Sequence, residues 1–105
     1  MLTKDFLLQL PEKVNTAALE NMSTCFHFEL TGEDSGQVTV LVKDGVMTTR
    51  EGLHGEPSCT VRAQGSDLKD VFKGKLNPML AILTGKLKIS NQTELLKFAK
   101  LLGWM

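Results

Sequence analysis

Along the first third of the chain the apolar positions move from a helical to an extended spacing. From Thr3 to Val14, the residues Phe6, Leu7, Leu10 and Val14 recur at intervals of three and four. That spacing predicts a helix, with Thr3 as its cap and Pro11 kinking or dividing it. Asn15 to Met22, with Ala17, Ala18 and Leu19, is a second short helical segment. The period then falls to two. Phe26, Phe28 and Leu30 alternate with Cys25, His27 and Glu29, and after the turn-rich Thr31 to Gly36 the residues Val38, Val40 and Val42 alternate with Gln37, Thr39 and Leu41. These are half-buried strands. Asp44-Gly45 is a strong hairpin signal and leads into a third strand from Val46 to about Glu51, where Thr48, Thr49 and Arg50 predict a sheet edge. After the loop Gly52 to Pro57, a fourth strand turns Cys59, Val61 and Ala63 inward.

The second half is more apolar. Ser66-Asp67 has the composition of a helix start, and Leu68, Val71 and Phe72 form one stripe on a helix ending near Gly74. The stretch Lys73 to Ser90, KGKLNPMLAILTGKLKIS, then predicts a short helix feeding a strand. Asn77 caps the helix, Pro78 fits its first position, and Gly85 supplies the left-handed residue just past its end. Leu87 and Ile89 are the inward residues of the fifth strand. Asn91-Gln92-Thr93-Glu94 resembles a capping box ahead of Leu95, Leu96, Phe98, Ala99, Leu101 and Leu102, with Gly103 as the stop. The order of elements predicts an α+β domain, a sheet with helices on one face.

Met79, Leu80, Ala81, Ile82 and Leu83 form an apolar run around a helix too short to span a bilayer. One side has a core to meet and the other needs a partner. The last helix adds to the surplus, and one small sheet face cannot cover both. Plain core packing, a cavity for an apolar ligand and a dimer interface all remain open on the pattern alone.

Size and charge narrow the functions. A chain of 105 residues has room for one core, so residues 1–105 are read as a single domain. Formal net charge is zero and tyrosine is absent, so no electrostatic footprint for nucleic acid exists. Met1-Leu2-Thr3-Lys4-Asp5 runs straight into the amphipathic pattern, which leads us to expect a soluble, cytoplasmic protein. In that compartment Cys25 and Cys59 are expected as buried thiols rather than a bridge.

Candidate chemistry is sparse. His27 and His54 belong to no metal-ligand spacing, and Cys25-x-His27 shares a strand face with no third ligand nearby in sequence. Gly74-Lys75 and Gly85-Lys86 lack the upstream glycine and the following Ser or Thr of a phosphate loop. Asp34, Asp44 and Asp67 sit at turn or cap positions, where local hydrogen bonding is expected. Neither an enzyme site nor a bound cofactor or metal is expected.

The run Ser66-Asp67-Leu68 to Phe72-Lys73-Gly74-Lys75-Leu76-Asn77-Pro78-Met79-x-Ala81, with Gly85-Lys86-Leu87-Lys88-Ile89, closely resembles the sterol carrier protein domain. Phe26-x-Phe28-x-Leu30-Thr31-Gly32-Glu33-Asp34 and Lys43-Asp44-Gly45 match its earlier strands in order and spacing. The chain departs from the family pattern at Val38, Ile82 and Ser90. The resemblance implies a five-stranded, largely antiparallel sheet of order 3-2-1-4-5, with helices on one face enclosing a hydrophobic tunnel. It further implies a non-catalytic carrier of sterol, fatty acid, acyl-CoA or phospholipid. The alternatives are an accessory module presenting substrate to a lipid or quinone enzyme, and a ligand-free dimerisation domain.

Together the resemblance and the apolar surplus assign the ligand to Phe72, Met79, Leu80, Leu83, Leu95, Phe98 and Leu102. Lys75 and Lys86 are either headgroup partners or plain solvated lysines. The segment Leu95 to Met105, bearing the single tryptophan Trp104, is expected to act as a lid that touches the membrane transiently. A monomer and a homodimer are equally compatible with the sequence.

Overall fold

The computed structural model describes residues 2–14, 19 and 22–102, the side chains of residues 13 and 98–102 excepted. The expected helix over Asn15 to Met22 lies outside these residues except for Leu19, which is buried, and Met22. The N-terminal helical pattern is indeed divided: α1 spans Thr3–Leu8 and α2 spans Leu10–Lys13, the chain breaking at Gln9 with Pro11 in the first turn of α2. The strands β1 (Thr24–Thr31), β2 (Gly36–Lys43), β3 (Val46–Glu51), β4 (Cys59–Gln64) and β5 (Leu87–Ile89) form one five-stranded sheet of order β3-β2-β1-β4-β5. β1–β2, β2–β3 and β4–β5 pair antiparallel, while β1–β4 is parallel, so the sheet is mixed.

Alternation along the strands separates the two sheet faces. Phe26, Phe28, Val38, Val40, Val42 and Val61 point to one side and are fully buried. There they meet Leu7 of α1, Leu10 of α2, and Leu68 and Val71 of α3 (Gly65–Phe72). Ala81 of α4 (Pro78–Leu83) and Leu95 of α5 (Gln92–Leu102) complete the same core. Burying one such side chain contributes roughly 1.5–3 kcal/mol, which favours the packing of the five α-helices of the described residues on this face. The opposite face is polar and is partly covered by the loop between β3 and β4. His27 Nε2 lies 2.9 Å from the His54 carbonyl, the His54 amide donates to Thr39 Oγ1 at 2.9 Å, and Thr39 Oγ1 donates to the Gly52 carbonyl at 2.8 Å.

Two expectations about helix starts are corrected. Thr3 does not cap α1: it is the first helical residue, Leu2 stands at the cap position, and the Thr3 amide donates to Asp34 Oδ1 at 2.9 Å. The Thr3 hydroxyl lies 2.7 Å from both Asp34 Oδ2 and the Gly65 carbonyl oxygen, sharing its one proton between them. Asp34, read as a local turn residue, is thus the long-range cap of α1, and Lys69 of α3 pairs with it at 3.0 Å. Nor do Ser66 and Asp67 start α3. It begins at Gly65, with Gln64 as a cap residue that makes no side-chain bond. Asp34 packs so closely against this start that a Cβ on Gly65 would collide with its backbone carbonyl, which requires glycine at the position.

Burial by itself would raise the Asp34 pKa, but the hydroxyl and amide of Thr3, followed by Lys69, outweigh it and hold the carboxyl below its ordinary value. A depressed carboxylate stabilises the fold fully above its unfolded pKa of roughly 4 and progressively less as pH falls through the folded value. Asp34→Ala is therefore expected to lower stability by about 1–3 kcal/mol at neutral pH. Denaturant titrations repeated at falling pH should show a shallower acid loss in the variant than in the parent.

Candidate functional site

The site is organised around α4, whose two ends are set by local chemistry. Asn77 Oδ1 accepts from the amides of Met79 at 2.9 Å and Leu80 at 3.2 Å, with Pro78 in the first turn. At the other end Gly85, with φ of 81°, lets the Lys86 amide reach the Ala81 carbonyl at 2.8 Å and the Gly85 amide reach Ile82 at 3.2 Å. The same closure ends α3: Gly74 has φ of 77°, Lys75 donates to Asp70 at 2.8 Å, and Gly74 donates to Val71 at 3.1 Å. Lys75 and Lys86 therefore hold equivalent positions, each the third residue beyond a helix that ends in a Schellman turn. Both side chains are exposed.

Between those fixed ends the helix is two-sided. Ala81 is fully buried and Ile82 packs against the core, whereas Met79, Leu80 and Leu83 are 54%, 53% and 81% exposed. Leu96 of α5 is 39% exposed, while Leu95 beside it is buried in the core. Phe72 lies elsewhere, between α1 and α3, where its ring meets Phe6 at a centroid distance of 4.6 Å. The two rings line an apolar recess of about 190 Å3, with Thr3, Lys69 and Lys73 at its margin. Ligand pockets usually hold roughly 300–1,000 Å3, so this recess accommodates only part of a lipid chain. The side chains of Phe98 and Leu102, and the lid residues Trp104 and Met105, lie outside the described residues.

α5 is docked more firmly at its start than the capping-box reading predicts. Its forward half forms, with the Glu94 amide donating to Asn91 Oδ1 at 3.3 Å. The Glu94 carboxylate instead accepts from Thr24 Oγ1 of β1 at 2.7 Å and pairs with Lys97 at 3.1 Å. The Thr24 bond is the main reason its pKa is lowered, with Lys97 adding to it against burial. Nearby, Ser90 Oγ accepts from the Thr60 amide at 2.7 Å, closing the end of the β4–β5 pair.

The thiols and imidazoles are structural in placement. Cys59 is buried on the core side as expected, but Cys25 is only half-buried, because alternation turns it to the outer face with His27. Burial pushes both thiols up and keeps them protonated, the opposite of what a nucleophilic thiolate needs. No cluster of three or more His, Cys, Asp or Glu able to hold a metal exists among the described residues. Among the same residues no helix is long and apolar enough to cross a membrane.

The sequence profile of the SCP-2 sterol transfer family matches residues 4–103. Hydroxysteroid dehydrogenase-like protein 2 of Xenopus tropicalis is 35% identical over 98 residues, covering 88% of this chain and 22% of that protein. The chain thus spans about a fifth of the length of that curated relative. Among solved structures, sterol carrier protein domain 2 of Helicoverpa armigera superposes with a TM-score of 0.75 at 24% identity, covering 94% of this chain and 81% of that one. The sec-alkylsulfatase Pisa1 of Pseudomonas sp. superposes with a TM-score of 0.78 at 22% identity, covering 92% of this chain and 16% of the enzyme. Both carry the mixed-sheet fold described above.

The contrast between the two sides of α4 gives a stability prediction. Leu83→Ser should change stability by no more than about 0.5 kcal/mol, since its side chain stands in water. Asn77→Ala should lower it by about 0.5–2 kcal/mol through loss of the cap. Chemical denaturation of the two variants beside the parent measures both.

Proposed function

This chain belongs to the SCP-2 sterol transfer family, and from that premise we propose that it is a non-catalytic lipid carrier. The observation that carries the reading is the apolar face that α4 presents in a folded, doubly capped helix: Met79, Leu80 and Leu83 stand exposed while Ala81 anchors them to the core. A lipid chain laid along this face would cover side chains that the protein itself leaves open. Phe72 in its own recess between α1 and α3, Leu95 on the core side of α5, and Phe98 and Leu102 further along α5 would be reached by a chain that enters the core rather than by one on this face alone. Lys75 and Lys86, exposed on either side of α4, would meet a carboxylate or phosphate headgroup outside the apolar contact.

Single-chain lipids such as fatty acid or acyl-CoA fit a narrow apolar strip. Sterol and phospholipid are the other members of the ligand class. Burying about ten methylenes at roughly 0.8 kcal/mol each provides about 8 kcal/mol before ordering losses, which sets micromolar or weaker affinity. A second reading, that the domain presents substrate to an enzyme, is supported by lengths: the matched region is a minor part of both the dehydrogenase-like relative and the alkylsulfatase. The chemistry of the site is the same in either case. It holds a lipid and performs no reaction on it.

Titration with a fluorescent fatty acid tests the reading. Saturable binding is expected, weakened severalfold by Leu80→Ser with Leu83→Ser and unchanged by Arg50→Gln on the opposite sheet face. Absence of saturable binding, with neutral sterol also failing to compete or bind, would remove the carrier function.

A further inference from the structure

The stretch around α4 has a charge pattern that ligand binding does not require. From Lys73 to Ser90 it contains four lysines, Lys73, Lys75, Lys86 and Lys88, and no aspartate or glutamate, although the whole chain balances 12 cations against 12 acids. All four lysines are exposed. They flank the exposed Met79, Leu80 and Leu83 on both sides in sequence, at the two closed ends of the helix. Beside the C-terminal end of α4 lies a polar groove of about 470 Å3, walled by β4, β5 and the turn at Thr84 and Gly85. Arg62, Lys86 and Lys88 line it, opposed by Asp67 at the start of α3, and Arg62 is itself paired with Glu29 at 3.1 Å.

An apolar helix face with a cationic rim matches a bilayer interface. Six residues of helix reach only about 9 Å, far short of the roughly 30 Å hydrocarbon core, so the element can lie in the interface plane and cannot cross it. Apolar side chains then enter the headgroup boundary while the lysines remain at phosphate level. Lysines close to an anionic leaflet add attraction that decays within a Debye length, which ties docking to lipid charge and to salt. A symmetric contact between two copies through α4 is electrostatically disfavoured, because the stretch would bring lysines from both copies together without an acid of its own to neutralise them.

We propose that α4 is the membrane-docking element of this protein: Met79, Leu80 and Leu83 insert into the interface of an anionic bilayer, and Lys73, Lys75, Lys86 and Lys88, with the adjoining groove, hold its phosphate headgroups. The inference goes beyond the carrier reading, because it concerns the empty protein at a surface. It also differs from the lid expectation, which placed membrane contact on the C-terminal segment.

Sedimentation of the ligand-free full chain with vesicles tests it. Vesicles of phosphatidylcholine mixed with phosphatidylglycerol should bind the protein, and those of phosphatidylcholine alone should bind it about tenfold or more weakly. Leu83→Asp should weaken binding to mixed vesicles by about tenfold or more, as should Lys86→Gln with Lys88→Gln. Raised salt should release the parent protein. Circular dichroism verifies that each variant is folded, which the exposure of these positions favours.

Equal binding of parent and Leu83→Asp, or no binding to mixed vesicles, would overturn the proposal. So would a concentration-dependent dimer in sedimentation velocity that Leu83→Asp abolishes, since a second copy would then be the occupant. Fatty-acid titration of the parent without vesicles separates this result from the carrier reading: a parent that binds fatty acid saturably but not mixed vesicles removes docking alone, and one that binds mixed vesicles but no lipid ligand removes the carrier alone.

Discussion

One buried carboxylate, Asp34, holds the helical layer to the sheet. It sits in the turn between β1 and β2 and accepts the amide and hydroxyl of Thr3 at the start of α1, while pairing with Lys69 on α3. The Thr3 hydroxyl also reaches the Gly65 carbonyl, where α3 begins. Three chain segments far apart in sequence therefore meet on one charged group. In a poorly solvated position such a network is favourable only when every member is satisfied, and among the described residues no buried side-chain nitrogen or oxygen lacks a partner. The absence of a side chain at Gly65 is part of the same constraint, because the Asp34 backbone occupies the space a Cβ would need.

With α1 and α3 fixed in this way, the core fills from one side of the sheet. Phe26, Phe28 and the valines of β2 are covered by α1, α2 and α3, leaving α4 to contribute one fully buried residue, the small Ala81, with Ile82 partly buried beside it. A larger residue at this contact would hold the helix farther from the core, because the distance between packed elements grows with the side chains between them. Alanine seats the helix without hiding its other faces, so the apolar surface of Met79, Leu80 and Leu83 persists in the folded state. The firm closures at Asn77 and Gly85 keep that surface presented as a short helix rather than collapsed as a loop.

The outer sheet face has a different character. The loop after β3 crosses it, with the His54 backbone held by His27 and Thr39. A histidine and a cysteine that share a strand face invite a chemical reading; here the histidine secures a loop through one carbonyl, and burial raises the pKa of the thiol beside it. The proposed lipid contact therefore rests on the apolar side of the domain.

The sequence by itself determined every feature whose physics is local. Alternation at Phe26, Phe28, Leu30 and Val38, Val40, Val42 placed the strands, Asp44-Gly45 placed the β2–β3 hairpin, and Asn77, Pro78 and Gly85 bounded α4. The long motif around Phe72 to Ala81 carried the family, and with it the strand order, which periodicity cannot supply. Tertiary structure alone decided that Asp34 caps a helix 31 residues away, that Gly65 rather than Ser66 starts α3, and that Glu94 turns from its own helix to Thr24. It also decided which residues of the apolar run remain in water. Periodicity reports how side chains are spaced around one element, but burial and long-range hydrogen bonding depend on which other elements arrive beside it, and that is fixed only when the chain is packed.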